Sequence, residues 1–107
     1  MNRERSEIHA AKLTITGRVQ GVGFRAWYCD QIVSHTQLQG YVRNLPTGEV
    51  EVLVIGIPNE LDFATEVAQE GPPASKVESV NIETEIQSMK SIEELKQSFN
   101  RFSIHYS

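Results

Sequence analysis

Residues 11–25, AKLTITGRVQGVGFR, decide the fold because the hydrophobic period changes inside this one stretch. Apolar and polar residues alternate over Ala11–Thr16, which is typical of a strand with one buried face. The loop 17–23 that follows contains three glycines, and apolar residues then recur at helical spacing over Phe24–His35. The stretch therefore predicts a strand, a glycine-rich loop and a helix in direct succession.

The rest of the chain predicts further strands and a second helix. The predicted strands are Leu38–Leu45, Glu49–Ile55 and Val77–Thr84, and a helix is expected to begin at an Asn59 N-cap and to end at Gly71-Pro72-Pro73. This order is β-α-β-β-α-β. It predicts an α+β fold, a ferredoxin-like sandwich in which two helices cover one face of an antiparallel sheet.

Weaker patterns concern the faces and edges of this sheet. We expect Val80 and Ile82 to point inward from the fourth strand. Polar residues at the alternate strand positions predict that the other face of the sheet is solvated. The alternation in residues 102–106 predicts a C-terminal edge strand, and Ser91 can cap a short extra helix before it.

Length and composition exclude several classes of protein. The 107 residues suit one domain, which we assign to residues 11–107 after an N-terminal extension of residues 1–10. The net charge of −4 argues against a nucleic-acid partner, because such proteins carry a basic surface. No apolar leader is visible and the apolar run 52–55 is too short to cross a bilayer, so we expect no membrane association. Cys29 is the only cysteine, which excludes an intrachain disulfide and suits a cytoplasmic protein.

The glycine loop has the features of an anion site. The first N–H groups of a helix lack internal partners and lie at the positive end of its dipole. Glycines let a loop turn so that successive N–H groups converge on one point. Arg25, one residue into the predicted helix, adds a planar cation that makes forked contacts with phosphate. Such a local arrangement can hold a phosphate despite the net negative charge.

Other interpretations of this loop compete. A Walker A loop is excluded, because Gly23 is followed by Phe24 and Arg25 where that motif requires lysine and a hydroxyl residue. Residues 21–26 match the dinucleotide pattern Gly-x-Gly-x-x-Ala, but the acidic residue expected about 20 positions later is absent and the topology differs. A loop whose glycines only ease a turn, with Arg25 in solvent, stays open from these residues alone.

Two motifs together closely resemble the acylphosphatase family. They are GRVQGVGFR at residues 17–25 and GYVRNLPTG at residues 40–48. Residues 71–77, GPPASKV, look like the exit from the second helix of that family, and residues 102–104, FSI, look like its last strand. The resemblance extends over residues 12–106.

The resemblance implies an enzyme that hydrolyses small acyl phosphates to a carboxylate and phosphate, with no metal and no cofactor. It implies that Arg25 binds the phosphate and that Asn44 orients the attacking water, which makes these two the catalytic residues. The phosphate-binding backbone would be that of Gln20, Gly21, Val22, Gly23, Phe24 and Arg25. Such a site suits phosphoryl transfer, in which positioning and charge stabilisation supply most of the rate. We expect the enzyme to be a monomer.

The chain departs from the family pattern in two connections. Residues 35–37 link the first helix to the second strand where the family usually has a glycine, and the connection 85–100 is longer than usual. Among other reactive residues, the histidines show no metal-ligand spacing, and Cys29 is expected to be a packed thiol. Arg18 and Arg43 flank the predicted site, either as attractants for substrate or as solvated charges.

Two rival functions remain for comparison. An RNA-binding module uses the same topology, but residues 49–54 of the third strand carry two acids and no aromatic, so we reject it. A catalytically silent phosphate-binding domain is the other rival. The presence of both Arg25 and Asn44 argues against silence, and turnover distinguishes the two.

Overall fold

The computed structural model describes residues 8–84 and 92–106. These residues form strands β1 (His9–Arg18), β2 (Gln39–Asn44), β3 (Val50–Gly56), β4 (Lys76–Glu83) and β5 (Phe102–His105), and helices α1 (Phe24–His35), α2 (Pro58–Glu70) and α3 (Ile92–Ser98). The first helix has the bounds that the sequence predicts, and the strand ends lie within two residues of the predicted ones.

The strands form one sheet in the order β4-β1-β3-β2-β5. β1 pairs antiparallel with β3 and β4, β2 pairs antiparallel with β3, and β5 lies parallel to β2 at the edge. The chain thus has the ferredoxin-like βαββαβ order with a terminal edge strand, which confirms the predicted fold class. β1 and β2 both run opposite to β3, and β5 runs with β2. The carboxyl ends of β1, β2 and β5 therefore lie at the same end of the sheet.

The main core lies between the sheet and the helices α1 and α2. In β1, Leu13 and Ile15 are fully buried in this core, and Thr14 between them points to the other face. Tyr28 of α1 is buried among them, and its hydroxyl donates a 2.8 Å hydrogen bond to the carbonyl of Ala64 in α2. Burial also raises the pKa of Tyr28. Both helices therefore cover the same face of the sheet, as predicted.

The start of α2 differs from the prediction. Ile57 is its N-cap residue and Pro58 its first helical residue, so the prediction of an Asn59 N-cap was wrong. Proline suits the first helical position, because its fixed φ is already helical and its missing N–H needs no partner there. The carbonyl of Ile57 accepts the N–H groups of Glu60 and Leu61 at 3.0 and 3.1 Å, which closes the first turn without a side-chain cap.

β4 is an edge strand, and this position limits the burial of its side chains. Val80 is half-buried and packs against the main core, as expected. Ile82 pairs with Leu13 and so lies on the helix side of the sheet, but it remains 47% exposed. It lines an open groove beside α2. Ile82 therefore points to the helix side of the sheet, as expected, but the groove leaves it outside the buried core.

The face predicted to be solvated is partly covered by α3. A second, smaller apolar cluster forms there from Ala10, Leu53, Ile55 and Leu95. The side-chain amide of Gln39 in β2 donates a 3.0 Å hydrogen bond to the carbonyl of Lys96, which ties α3 to the sheet. The short extra helix is thus confirmed, whereas a wholly solvated face was wrong. Ser91, its predicted cap, lies outside the described residues.

Candidate active site

The loop between β1 and α1 turns at two glycines. Gly21 and Gly23 have φ angles of +74° and +78°, in the left-handed region that L side chains rarely adopt. Gly23 is also the N-cap residue of α1, and its carbonyl accepts the N–H of Trp27 at 3.1 Å. A Cβ added to either glycine would meet no atom within 4 Å. The backbone conformation, and not a lack of space, therefore requires glycine at both positions.

Arg25 is the second residue of α1 and is half-buried. Its guanidinium carbon lies 4.8 Å from the ring centroid of Tyr106, the residue after β5. A planar cation over the face of an aromatic ring is stabilised by about 0.5–1 kcal/mol at exposed sites. The first turn of α1 contains no acidic residue, so the helix itself supplies no carboxylate to compete with an anion for Arg25.

Asn44 is the last residue of β2, and its backbone is paired with Val50 of β3. Val42, two residues earlier, is fully buried in the main core, so the strand alternation places Asn44 on the face that carries α1. Its Oδ1 atom is buried and has no hydrogen-bond partner among the residues that the structure describes. A buried amide oxygen without a partner is rare in proteins, and it can accept a hydrogen bond from a bound water.

Arg25 and Asn44 line the same cavity, which has a volume of ≈ 150 Å³. The cavity opens at the end of the sheet where β1, β2 and β5 reach their carboxyl ends. Its other walls come from the glycine loop, the start of α1 and the terminal segment, among them Gly21, Gly23, Phe24, Ile104 and Tyr106. The structure thus brings together the two side chains that the sequence motifs single out.

Two residues of the predicted loop turn their side chains away from this cavity. Val22 packs against the main core. Gln20 donates hydrogen bonds from Nε2 to the carbonyl oxygens of Leu45 and Glu49, both at 2.8 Å. The predicted role of Gln20 and Val22 concerned their backbone N–H groups, and it stays a prediction.

Arg43 lies on the opposite face of the sheet from Asn44. Its Nε is 2.7 Å from Oε1 of Glu51, an almost fully buried carboxylate that also accepts the hydroxyl of Tyr41 at 2.9 Å. Burial and the hydrogen bond to Glu51 raise the pKa of Tyr41 to about 12. Arg43 is therefore held by an ion pair away from the cavity, which neither of its predicted roles, attraction of substrate or a solvated charge, describes. Arg18 is exposed at the end of β1.

The remaining reactive side chains do not converge on the cavity. Burial raises the pKa of the half-buried Cys29, and the neighbouring Asp30 raises it further, as expected for a packed thiol. His105 stacks on Tyr41, on the face away from Asn44. Within residues 8–84 and 92–106, no group of three His, Cys, Asp or Glu side chains could hold a metal ion. No helix in those ranges is long and apolar enough to span a membrane.

The sequence patterns did not identify Ile104 and Tyr106 as parts of the site. The alternation of residues 102–106 indicates a strand, but an alternating pattern does not specify which strand is its neighbour. The pairing of β5 with β2, which places His105 opposite Arg43, brings Tyr106 next to the end of β2.

Known proteins of one family resemble this chain in sequence and in fold. The sequence profile of the Acylphosphatase family matches residues 11–104. Acylphosphatases from Bradyrhizobium diazoefficiens and Chromohalobacter salexigens are 45% and 49% identical, over 68% and 67% of this chain and 73% and 79% of their own lengths. The crystal structure of acylphosphatase from Bacillus subtilis superposes with a TM-score of 0.75 at 32% identity, and covers 94% of this chain and 100% of its own. The chain therefore belongs to the acylphosphatase family.

Proposed function

We propose that this protein is an acylphosphatase that hydrolyses the carboxyl–phosphate anhydride of small acyl phosphates, with Arg25 and Asn44 as its catalytic residues and with no metal or cofactor. The reaction class follows from the family. The assignment of residues is supported by one observation, the convergence of Arg25 and Asn44 on a single cavity of ≈ 150 Å³. A cavity of this size favours a small substrate.

The phosphoryl group binds at the start of α1. The left-handed turns at Gly21 and Gly23 curl the loop around this point, where the first N–H groups of the helix lack internal partners. In this proposal the backbone from Gln20 to Arg25 surrounds the phosphoryl oxygens, and the Arg25 guanidinium makes a forked, charge-assisted contact with them. The positive charge then offsets the charge of the phosphoryl group as the bond to the leaving group breaks.

The attacking water is held by Asn44. Its Oδ1, which has no partner among the described residues, accepts a water O–H, and the water oxygen is thereby oriented toward phosphorus. The oxygen–phosphorus bond forms while the bond from phosphorus to the carboxylate oxygen breaks, and its electron pair leaves with the carboxylate. The proton of the water passes to a phosphate oxygen. The carboxylate is a stable leaving group, so the reaction needs no general acid.

Hydrolysis of acetyl phosphate by the purified protein in EDTA tests the proposal. We expect turnover to persist, because no metal takes part. Arg25→Ala should abolish inhibition by inorganic phosphate and lower kcat by more than the roughly 10²–10³-fold that follows loss of one oxyanion donor, since a charged, forked contact is lost as well. Asn44→Ala should lower kcat severely while leaving the phosphate Ki nearly unchanged, the signature of a contact made mainly in the transition state.

Matched control variants separate these effects from a general loss of folding. Arg101→Ala and Asn81→Ala remove the same side chains at exposed positions that do not line the cavity, so both variants should keep the kcat and Ki of the parent. Loss of turnover in EDTA that a divalent ion restores would refute metal independence. Phosphate binding without turnover in the parent would establish the silent binding domain instead.

We also propose that the protein acts as a monomer, in the cytoplasm, with no nucleic-acid or membrane partner. Arg25, Asn44 and the glycine loop line one cavity within a single chain, so the proposed mechanism invokes no residue of a second subunit. Sedimentation at the concentration of the activity assay tests this state, and activity that appears only with dimer formation would contradict it.

A further inference from the structure

The side chain of Gln20 joins the phosphate loop to the β2–β3 hairpin. Its Nε2 group lies 2.8 Å from the carbonyl oxygen of Leu45 and 2.8 Å from that of Glu49. Both partners are acceptors only, so each N–H of the amide donates one bond. The two partners are 25 and 29 residues away in the chain, which makes this amide a tertiary link and not part of a local turn.

The two carbonyls that Gln20 contacts are the ones that shape the turn after β2. The carbonyl of Leu45 also accepts the N–H of Gly48 at 3.1 Å, and the carbonyl of Glu49 also accepts the N–H of Leu45 at 2.8 Å. Each carbonyl oxygen thus receives one bond from within the turn and one from Gln20, which accounts for both of its lone pairs. The turn is closed by its own backbone and held against the loop by one side chain.

Asn44 directly precedes this turn, and the sheet holds it from one side only. Its backbone pairs with Val50 in β3. On the other side, the pairing of β2 with β5 ends at Arg43 and His105, one residue earlier. The sheet connects Asn44 to β1 only through Val50 of β3, which also pairs with Ile15, and this pairing ends before the loop begins. The Gln20 amide is a direct link between the loop and the turn that follows Asn44.

We propose that Gln20 is a positioning residue: its side-chain amide fixes Asn44, and hence the water that Asn44 orients, relative to the phosphate bound by the loop. This inference rests on the proposed role of Asn44. A misplacement of about 1 Å can lower a rate by about 10²-fold, so a link between the two halves of the site affects catalysis even though its side chain lies outside the cavity.

The test is a double-mutant cycle with acetyl phosphate as substrate and inorganic phosphate as inhibitor. Gln20→Met keeps the length of the side chain and removes both N–H donors. We expect it to lower kcat by roughly tenfold to 10²-fold while the phosphate Ki changes by less than about twofold, since Arg25 and the loop backbone remain. In an Asn44→Ala background, the same Gln20→Met change should cause no further loss of kcat, because it acts through Asn44.

A second variant separates hydrogen bonding from folding. Gln20→Glu places a carboxylate against the two carbonyls, and protonation restores one O–H donor. We therefore expect the ratio of its kcat to that of the parent to rise as the pH is lowered from about 7 to about 5, toward the ordinary carboxyl pKa of about 4.3. Urea midpoints of the variant at the same pH values report any loss of folding separately. A kcat ratio that does not change with pH while the variant stays folded would overturn the proposal.

The two proposals fail in different ways. If Asn44→Ala by itself keeps the parent kcat, Asn44 does not orient the water and the inference about Gln20 falls with it. If Asn44→Ala loses turnover but Gln20→Met causes the same further loss in both backgrounds, only the Gln20 inference is overturned. An increase in phosphate Ki that equals the fall in kcat would likewise assign Gln20 to phosphate binding.

Discussion

Arg25 and Asn44 are held at the cavity in different ways. Asn44 has a short side chain on a backbone that is paired with Val50, so its position follows from the sheet and the turn. Arg25 has a long side chain, which loses rotamer freedom when it is fixed at one place. In the structure it lies under the ring of Tyr106, which is itself 76% exposed. The ring therefore limits where the guanidinium points before phosphate arrives.

This arrangement predicts a measurable role for the Tyr106 ring. Replacing Tyr106 with alanine should raise the phosphate Ki about twofold to fivefold, the equivalent of the roughly 0.5–1 kcal/mol of an exposed cation–π contact. Tyr106→Phe keeps the ring and serves as the matched control, with the Ki of the parent. Inhibition of acetyl phosphate hydrolysis by inorganic phosphate gives both values. Equal Ki values for the alanine and phenylalanine variants would show that the ring does not orient Arg25.

Among the elements, those with a clear hydrophobic period were predictable and those placed by tertiary contacts were not. α1 has the predicted bounds because the hydrophobic period changes at Phe24, directly after Gly23, whose backbone is in the left-handed conformation. The start of α2 was missed because Pro58 occupies the first helical position, where its fixed φ suits a helix and its missing N–H needs no partner. The helix therefore begins there without a side-chain cap at Asn59. The pairing of β5 with β2, and so the place of Tyr106, depends on contacts that no local pattern records.

Because α3 packs on the face of the sheet opposite Asn44, we expect its contacts to support stability and not catalysis. Leu95→Ala should lower the free energy of unfolding by about 2 kcal/mol, the lower end for such substitutions, because Leu95 lies in the small cluster. It should leave kcat and the phosphate Ki unchanged, since α3 packs on the face opposite Asn44. Urea unfolding measures the free energy of unfolding, and the hydrolysis assay measures kcat and the phosphate Ki. Gln97→Ala, at an exposed position of the same helix, is the control, and a folded Leu95→Ala protein with reduced kcat would contradict the separation.

For the whole molecule, the location of the site follows from strand direction. β1 and β2 both run antiparallel to β3, so the loop after β1 and the residue that ends β2 lie at the same end of the sheet. The spacing of Arg25 and Asn44 in the sequence does not show this, and their association was predicted from the family motifs alone. The side-chain link made by Gln20 has no sequence signal of its own, because its partners are backbone carbonyls.

The buried Tyr28 and the half-buried Tyr41 predict that the whole fold loses stability in alkali. Tyrosine in an unfolded chain has a pKa of about 10, whereas burial raises the pKa of Tyr28, and burial together with Glu51 raises the pKa of Tyr41 to about 12. Between these values the unfolded chain binds fewer protons than the folded protein, so the free energy of unfolding falls as the pH rises above about 10. Below the unfolded value the two groups contribute no pH dependence.

Tyr41→Phe isolates one of these contributions. Urea midpoints of the parent and the variant at pH 8 and pH 11 give the alkaline loss in each, and other groups that titrate in this range affect both proteins alike. The parent should lose more stability between the two pH values than the variant does, because the variant no longer has the hydroxyl whose proton the fold retains through Glu51. The absolute midpoint of the variant at pH 8 reports the lost hydrogen bond separately. An equal alkaline loss in both proteins would mean that Tyr41 titrates alike in the folded and unfolded chains.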